Sequence, residues 1–352
     1  MLQLVFDKAA IRHNIAAVKK RAGKSIVYAV LTADGYGAGL VELVTLLRND
    51  GISHFAVYSV ADARKLRKGG FVEEELLMLR STSDPAELNE LLDLNVVCTI
   101  GSYETGVALN ALAEERSTIA VAHVLVDTGM GLGGFLPSEP EKLLSIYRYL
   151  SNVAIAGTYT QLSAARSDIN GQMEQFQSTL DTLHKAGLET GITHAAGSYV
   201  LMRSQGAQLD AVRVGSAFLG QCRRRAGDGL KNAVHGEATL DTVRWLPKGH
   251  TIGNYKQIRL KRPTRVAVFS AGIQNGFGLE PVRRGGLVSR LAGVLFRRKK
   301  TVSCNGTRIK LLGGIGMVET AMDVTDLKCA AGDVVVFDIN PLYANGMERV
   351  YR

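Results

Sequence analysis

Cysteine is scarce in this chain and never paired. Cys98, Cys222, Cys304 and Cys329 are scattered with no C-x-x-C spacing, which argues against a disulfide frame or a zinc site and for free thiols in a reducing compartment. No run approaches the roughly 18 apolar residues that a membrane span requires. The start, Met1-Leu2-Gln3-Leu4-Val5-Phe6-Asp7-Lys8, lacks the basic stretch and long apolar core of a secretory signal. A cytoplasmic location is the expectation. Aromatics are only 6% of the residues and do not interleave with basic ones, so base-stacking surfaces, and with them a nucleic-acid role, are not expected.

Proline is also rare, at 7 residues against 38 glycines, a balance that suits an α/β protein with many tight turns and close backbone approaches to phosphate groups. The net charge of +9 and a pI of about 9.4 would favour an anionic partner, with simple solvation as the plainer explanation. At 352 residues the chain is long enough for one large domain and a smaller one.

Short apolar runs alternate with amphipathic stretches from about residue 25 to 220. They fall at 26–31, 55–58, 76–79, 96–99, 121–126, 153–159, 193–196 and 211–214. Eight such units are the number that closes a (β/α)8 TIM-type barrel, and buried parallel strands should read as continuous apolar runs. Chemistry in such a barrel sits where strands end, so Thr32, Asp127, Gln161, Ser198 and Arg213 are the polar residues of interest. After about residue 235 helical periodicity fades. Strand-like runs at 238–243, 257–260, 265–269, 301–304, 308–312 and 334–337 predict a C-terminal all-β domain. The expected division is 1–235 and 236–352. The early strand at 3–6 contributes to the β domain and leads, with Asp7 as candidate N-cap, into a helix over 9–22. The basic stretch 279–300 carries Arg283, Arg284, Arg290, Arg297, Arg298, Lys299 and Lys300. It reads better as an extended surface hairpin than as an amphipathic helix lying on anionic lipid.

Several motifs, in order along almost the whole chain, resemble those of the alanine racemase family, the fold-type III pyridoxal-phosphate enzymes. The run Ala29-Val30-Leu31-Thr32-Ala33-Asp34-Gly35-Tyr36-Gly37-Ala38-Gly39 is similar to the cofactor motif A-V-[VL]-K-A-[ND]-A-Y-G-H-G. Asp127-Thr128-Gly129-Met130-Gly131 matches D-T-G-M-G, and Val212-Arg213-Val214-Gly215 matches V-R-x-G. Gly316-Met317 falls where C-M-D-Q is usual, and the helix start Ile11-Arg12-His13-Asn14 also fits. The resemblance implies a homodimer whose sites borrow residues from the partner's β domain. It also implies pyridoxal phosphate, with Tyr36, Ser198, Gly215 and Ser216 toward the phosphate and Arg213 facing the pyridine nitrogen. An arginine cannot give up its proton and so keeps that nitrogen unprotonated. Met317 would lie on the substrate side. An Arg213–Asp127 ion pair is the structural alternative for the arginine.

The chemical half of the pattern is depleted. Thr32 stands at the Schiff-base lysine, removing both the tether and one acid/base group. The opposing tyrosine is replaced by Asn254 on the simplest register, or restored as Tyr255 by a one-residue shift. Leu125, Leu132 and Gln161 replace the family's lysine, arginine and histidine, and Val318 and Glu319 replace the Asp-Gln pair. Three readings follow. The first is a non-racemising homologue that binds pyridoxal phosphate or a related phosphorylated ligand non-covalently. The second is a pyridoxal-phosphate-dependent alanine racemase with a substituted lysine. The third is a non-catalytic scaffold acting through 279–300.

Overall fold

The computed structural model describes residues 1–163, 168–203, 206–222, 229–253, 257–279 and 301–352. The chain forms two compact units, Ala9–Asn232 and a second made of Met1–Lys8 with Ala233–Arg352.

The first unit is a (β/α)8 barrel. Its eight strands are Ile26–Val30, His54–Val57, Glu75–Met78, Cys98–Ile100, Ala120–Val126, Val153–Thr160, Ile192–Gly197 and Ala211–Val214. Seven neighbouring pairs form one parallel sheet. The ring closes through a Leu77–Val97 bridge, where the Met78 amide donates to the Val97 carbonyl at 2.9 Å. All eight apolar runs seen in the sequence are strands here, because each is buried by helices outside and by side chains within. The intervening helices start as their sequences dictate. Ser59 accepts from the Asp62 amide at 3.1 Å and Asp84 from the Glu87 amide at 2.9 Å, each satisfying a donor that the first helical turn leaves open. Val60, Ala63 and Leu66 recur every three residues and form the buried face of Val60–Lys68, a helix stripe turned inward.

The second unit is an antiparallel β structure. Its opening strand Leu2–Phe6 pairs antiparallel with Val234–Leu246 and parallel with the closing strand Glu348–Tyr351. Val234–Leu246 then joins Thr264–Phe269 and Val334–Phe337. Phe269, Phe277 and Phe337 cluster at its centre, with ring centroids 4.8–6.1 Å apart. Besides the two-residue Thr251–Ile252, two strands were not expected from the sequence, Thr320–Asp323 and Glu348–Tyr351. Both are four residues long and half polar, too little for an apolar run to show.

No helix among the described residues is long and apolar enough to cross a membrane. The basic stretch 280–300 and the alternatives Asn254 and Tyr255 lie outside the described residues.

Candidate functional site

The turn after the first barrel strand winds the wrong way for L-residues. Ala33, Asp34 and Gly35 have φ of 54°, 53° and 66° with ψ near 50°, and Tyr36 continues at φ 58°. This is a left-handed turn, which costs roughly 1–2 kcal/mol per non-glycine residue and must be held by its surroundings. The Asp34 carboxylate supplies that hold. It accepts from the Leu40 amide at 3.0 Å, where the next helix begins, and pairs with Lys65 at 3.1 Å. The turn delivers Tyr36 across the mouth of the barrel. Burial raises the pKa of the Tyr36 phenol, and the nearby Thr32 hydroxyl partly offsets the rise.

Tyr36 lies flat against Gly215. A Cβ at Gly215 would collide with the tyrosine ring, so only glycine lets that side chain approach the backbone this closely. Gly215 and Ser216 follow strand Ala211–Val214. They sit in a hydrogen-bonded turn, with the Phe218 amide donating to the Gly215 carbonyl and the Gln221 amide to that of Ser216. The donors still converge: the amides of Gly215 and Ala217 point at Ser198 Oγ, 3.0 and 3.4 Å away. Ser198 keeps its own O–H to donate. Those two amides are spent on Oγ, so the Ser198 O–H is the donor left for a phosphate oxygen.

These residues wall a cavity of about 230 Å³ lined by Tyr36, Gln161, Ser198, Tyr199, Arg213, Gly215 and Ser216 with the apolar Val30, Leu79, Leu162 and Val200. Arg213 is only 3% exposed, and it lies inside its strand rather than just beyond the end. Val212 and Val214 on either side are equally buried, which masks the position in an apolar run.

The guanidinium has no carboxylate partner among the described residues. Nη1 donates to Nδ1 of His194 at 2.6 Å and to the His194 carbonyl at 3.2 Å. Nη2 donates to the Thr160 carbonyl at 2.7 Å and to Gln161 Oε1 at 3.0 Å. Burial pulls its pKa down to about 10, so it stays charged at neutral pH. The ion pair with Asp127 is not formed. Asp127 Oδ1 instead accepts from the amides of Gly129, Met130 and Gly131 at 2.8–3.1 Å, as a short side chain does when it closes its own turn. Gln161, at the position of the family histidine, still orients the arginine.

Behind Arg213 the barrel interior holds a layer that the sequence did not reveal. His194 Nε2 meets His123 Nδ1 at 2.9 Å. The His194 ring is stacked between Tyr159 and Tyr28, at 4.7 and 5.6 Å. Burial and the Arg213 charge push His123 down to about 4 and His194 well below the ordinary imidazole range. The one signal in the sequence was His123 as a lone polar residue inside an otherwise apolar run.

Other family positions fall differently. Leu125 is half-buried and Leu132 is 82% exposed. Met317 lies in a loop of the β unit, where its carbonyl accepts from the Gln274 amide at 3.0 Å. Among the described residues no cluster could hold a metal.

The model of the alanine racemase N-terminal domain matches residues 6–222, and that of the C-terminal domain residues 233–347. The chain is 31% identical over 337 residues to the alanine racemase of Methylacidiphilum infernorum, an alignment spanning 94% of this chain and 81% of that protein. The alanine racemase of Streptomyces coelicolor A3(2) shares the fold with a TM-score of 0.85 at 19% identity, over 99% of this chain and 97% of the other. A Bartonella henselae alanine racemase with covalently bound pyridoxal phosphate does so at 0.83 and 22% identity, over 100% and 99%.

Proposed function

Because this chain belongs to the alanine racemase family, we propose that it is a non-racemising member which binds pyridoxal phosphate, or a closely related phosphorylated ligand, without a Schiff-base lysine. One observation carries this reading. The barrel-mouth cavity is lined by a buried Arg213 and by the Ser198 and Tyr36 hydroxyls, and among the described residues its lining holds neither a carboxylate nor a lysine. A buried cation with only dipoles around it is costly and calls for an anionic or electron-rich partner.

The residues present fit such a ligand. Ser198, Gly215, Ser216 and Tyr36 would hold its phosphate, and Arg213, steered by His194 and Gln161, would donate to the ring nitrogen. When bound, the cofactor acts as an electron sink for carbanion chemistry beside an amino-acid carboxylate. This chain offers little to use that sink. Thr32 neither condenses with a carbonyl nor takes up a proton near neutral pH. Leu125 and Leu132 leave no cation at two positions where the family pattern has them. Tyr255 remains the candidate acid or base on the opposite side, and Met317 the candidate substrate contact, both supplied in a homodimer by the β domain of another subunit. The proposed location is the cytoplasm.

Equilibrium dialysis with pyridoxal phosphate, paired with an assay for D-alanine formed from L-alanine, tests the reading. Saturable binding without turnover is the expected result. Turnover above a buffer blank would restore the racemase reading, and absence of binding would remove the cofactor.

A further inference from the structure

The chemistry of the cavity wall bears on which ligand it accepts. Its described lining contains one charged side chain, Arg213, and neither an amine nor a carboxylate. The amine of Lys65 is held by Asp34 at 3.1 Å, and Thr32 offers a hydroxyl rather than an amine. Nothing in that wall can condense with an aldehyde. The lining groups that can hold a ligand are the Ser198 hydroxyl, which keeps its proton while Oγ accepts the Gly215 amide, and the Arg213 cation, whose Nε–H has no acceptor among the described residues. They read a phosphate and a ring nitrogen, which phosphorylated pyridoxal-type rings share whatever their 4′ substituent.

We propose, resting on the reading above, that this site does not discriminate the oxidation state at the 4′ carbon: it binds pyridoxine 5′-phosphate, the alcohol, as well as pyridoxal phosphate, the aldehyde. In a lysine-bearing site the imine, formed with loss of water, adds a covalent contribution that only the aldehyde can make. Here that contribution is gone, and the affinity comes from contacts common to both rings. The site is therefore a freely exchanging one for phosphorylated pyridoxine-type compounds rather than a tethered cofactor site.

Titration calorimetry on the full-length protein tests this with pyridoxal phosphate, pyridoxine 5′-phosphate and unphosphorylated pyridoxine. The two phosphorylated rings should bind within about threefold of each other, and pyridoxine far more weakly. A preference for the aldehyde beyond that range, in the unmodified protein, overturns the inference while leaving the cofactor reading intact. Failure of both phosphorylated rings to bind removes the cofactor reading itself. The variant Thr32→Lys gives an independent check. It should strengthen aldehyde binding at least tenfold over the alcohol, with a borohydride-stable adduct at position 32. A Thr32→Lys protein that folds and still binds both rings alike would show that residue 32 does not face the 4′ carbon, and would overturn the argument.

Discussion

Arg213 donates through Nη1 to Nδ1 of His194 at 2.6 Å, deep inside the barrel. A guanidinium has only protons to give, so this nitrogen of His194 must be the unprotonated one. His194 then donates from Nε2 to His123 Nδ1, 2.9 Å away, and His123 carries its proton on Nε2, a buried atom with no hydrogen-bond partner among the described residues. One arginine thus sets the tautomer of two histidines. Both are neutral in the fold, and the second carries an unsatisfied donor whose burial is costly.

Acid should unfold this protein through that pair. The folded His123 titrates near 4 against 6.5 for a free imidazole, and His194 is also shifted down. A depressed histidine pKa means the unfolded chain takes up the proton first. Stability is therefore complete above about pH 6.5 and falls as the pH drops from there toward 4. His123 alone accounts for about 2 kcal/mol by pH 5. Urea midpoints at pH 7.5 and pH 5 would show the fall, and His123→Gln should flatten it.

On the proposed reading Arg213 serves a ligand more than the fold. Replacing it by methionine removes an uncompensated buried cation while leaving the acceptors of His194, Thr160 and Gln161 open. These effects oppose each other, so the stability of the ligand-free protein should change by no more than about 1 kcal/mol. Binding of pyridoxal phosphate should weaken at least tenfold. A structural arginine would show the reverse pattern in denaturation and dialysis.

Gly215→Ala should be disruptive in both respects. The added methyl meets the Tyr36 ring, which can yield only by moving the left-handed turn that carries it. A destabilisation of about 1–3 kcal/mol is expected, together with loss of ligand binding. Tyr36→Phe, which removes only the hydroxyl, should keep the stability within about 1 kcal/mol and lower affinity alone.

Asp127 belongs to the family motif yet acts on the backbone. Asp127→Ala opens the turn over residues 129–131 and should cost about 1–3 kcal/mol of stability. Its effect on ligand affinity should be small, because its carboxylate makes no contact with Arg213. A large affinity loss with unchanged stability would contradict this assignment.

Much of the barrel was legible because its strands are apolar on both faces, so eight runs stand out even without a repeat. The same continuity hid the site's interior. Arg213 and His123 sit within strands and are buried as completely as their valine neighbours, and nothing local marks them as a connected layer. The left-handed turn at 33–36 was also invisible, since Ala33, Asp34 and Tyr36 carry no glycine signal and are held there by Asp34 reaching the Leu40 amide. In the β unit, Thr320–Asp323 and Glu348–Tyr351 become strands only because neighbouring strands offer them open edges, a tertiary effect that propensity does not contain. Ser198, Gly215 and Tyr36 could be picked out by motif, and the fold brings those three together at one cavity.

The central claim is that the ligand site works without a lysine tether. The direct measurement is to add pyridoxal phosphate, record the visible spectrum, reduce with borohydride and map modified lysines by mass spectrometry. A saturable spectral change with no modified lysine is the predicted result. A single lysine labelled in proportion to ligand, whether Lys256 or any other, would contradict the claim and make catalysis by this chain the better account.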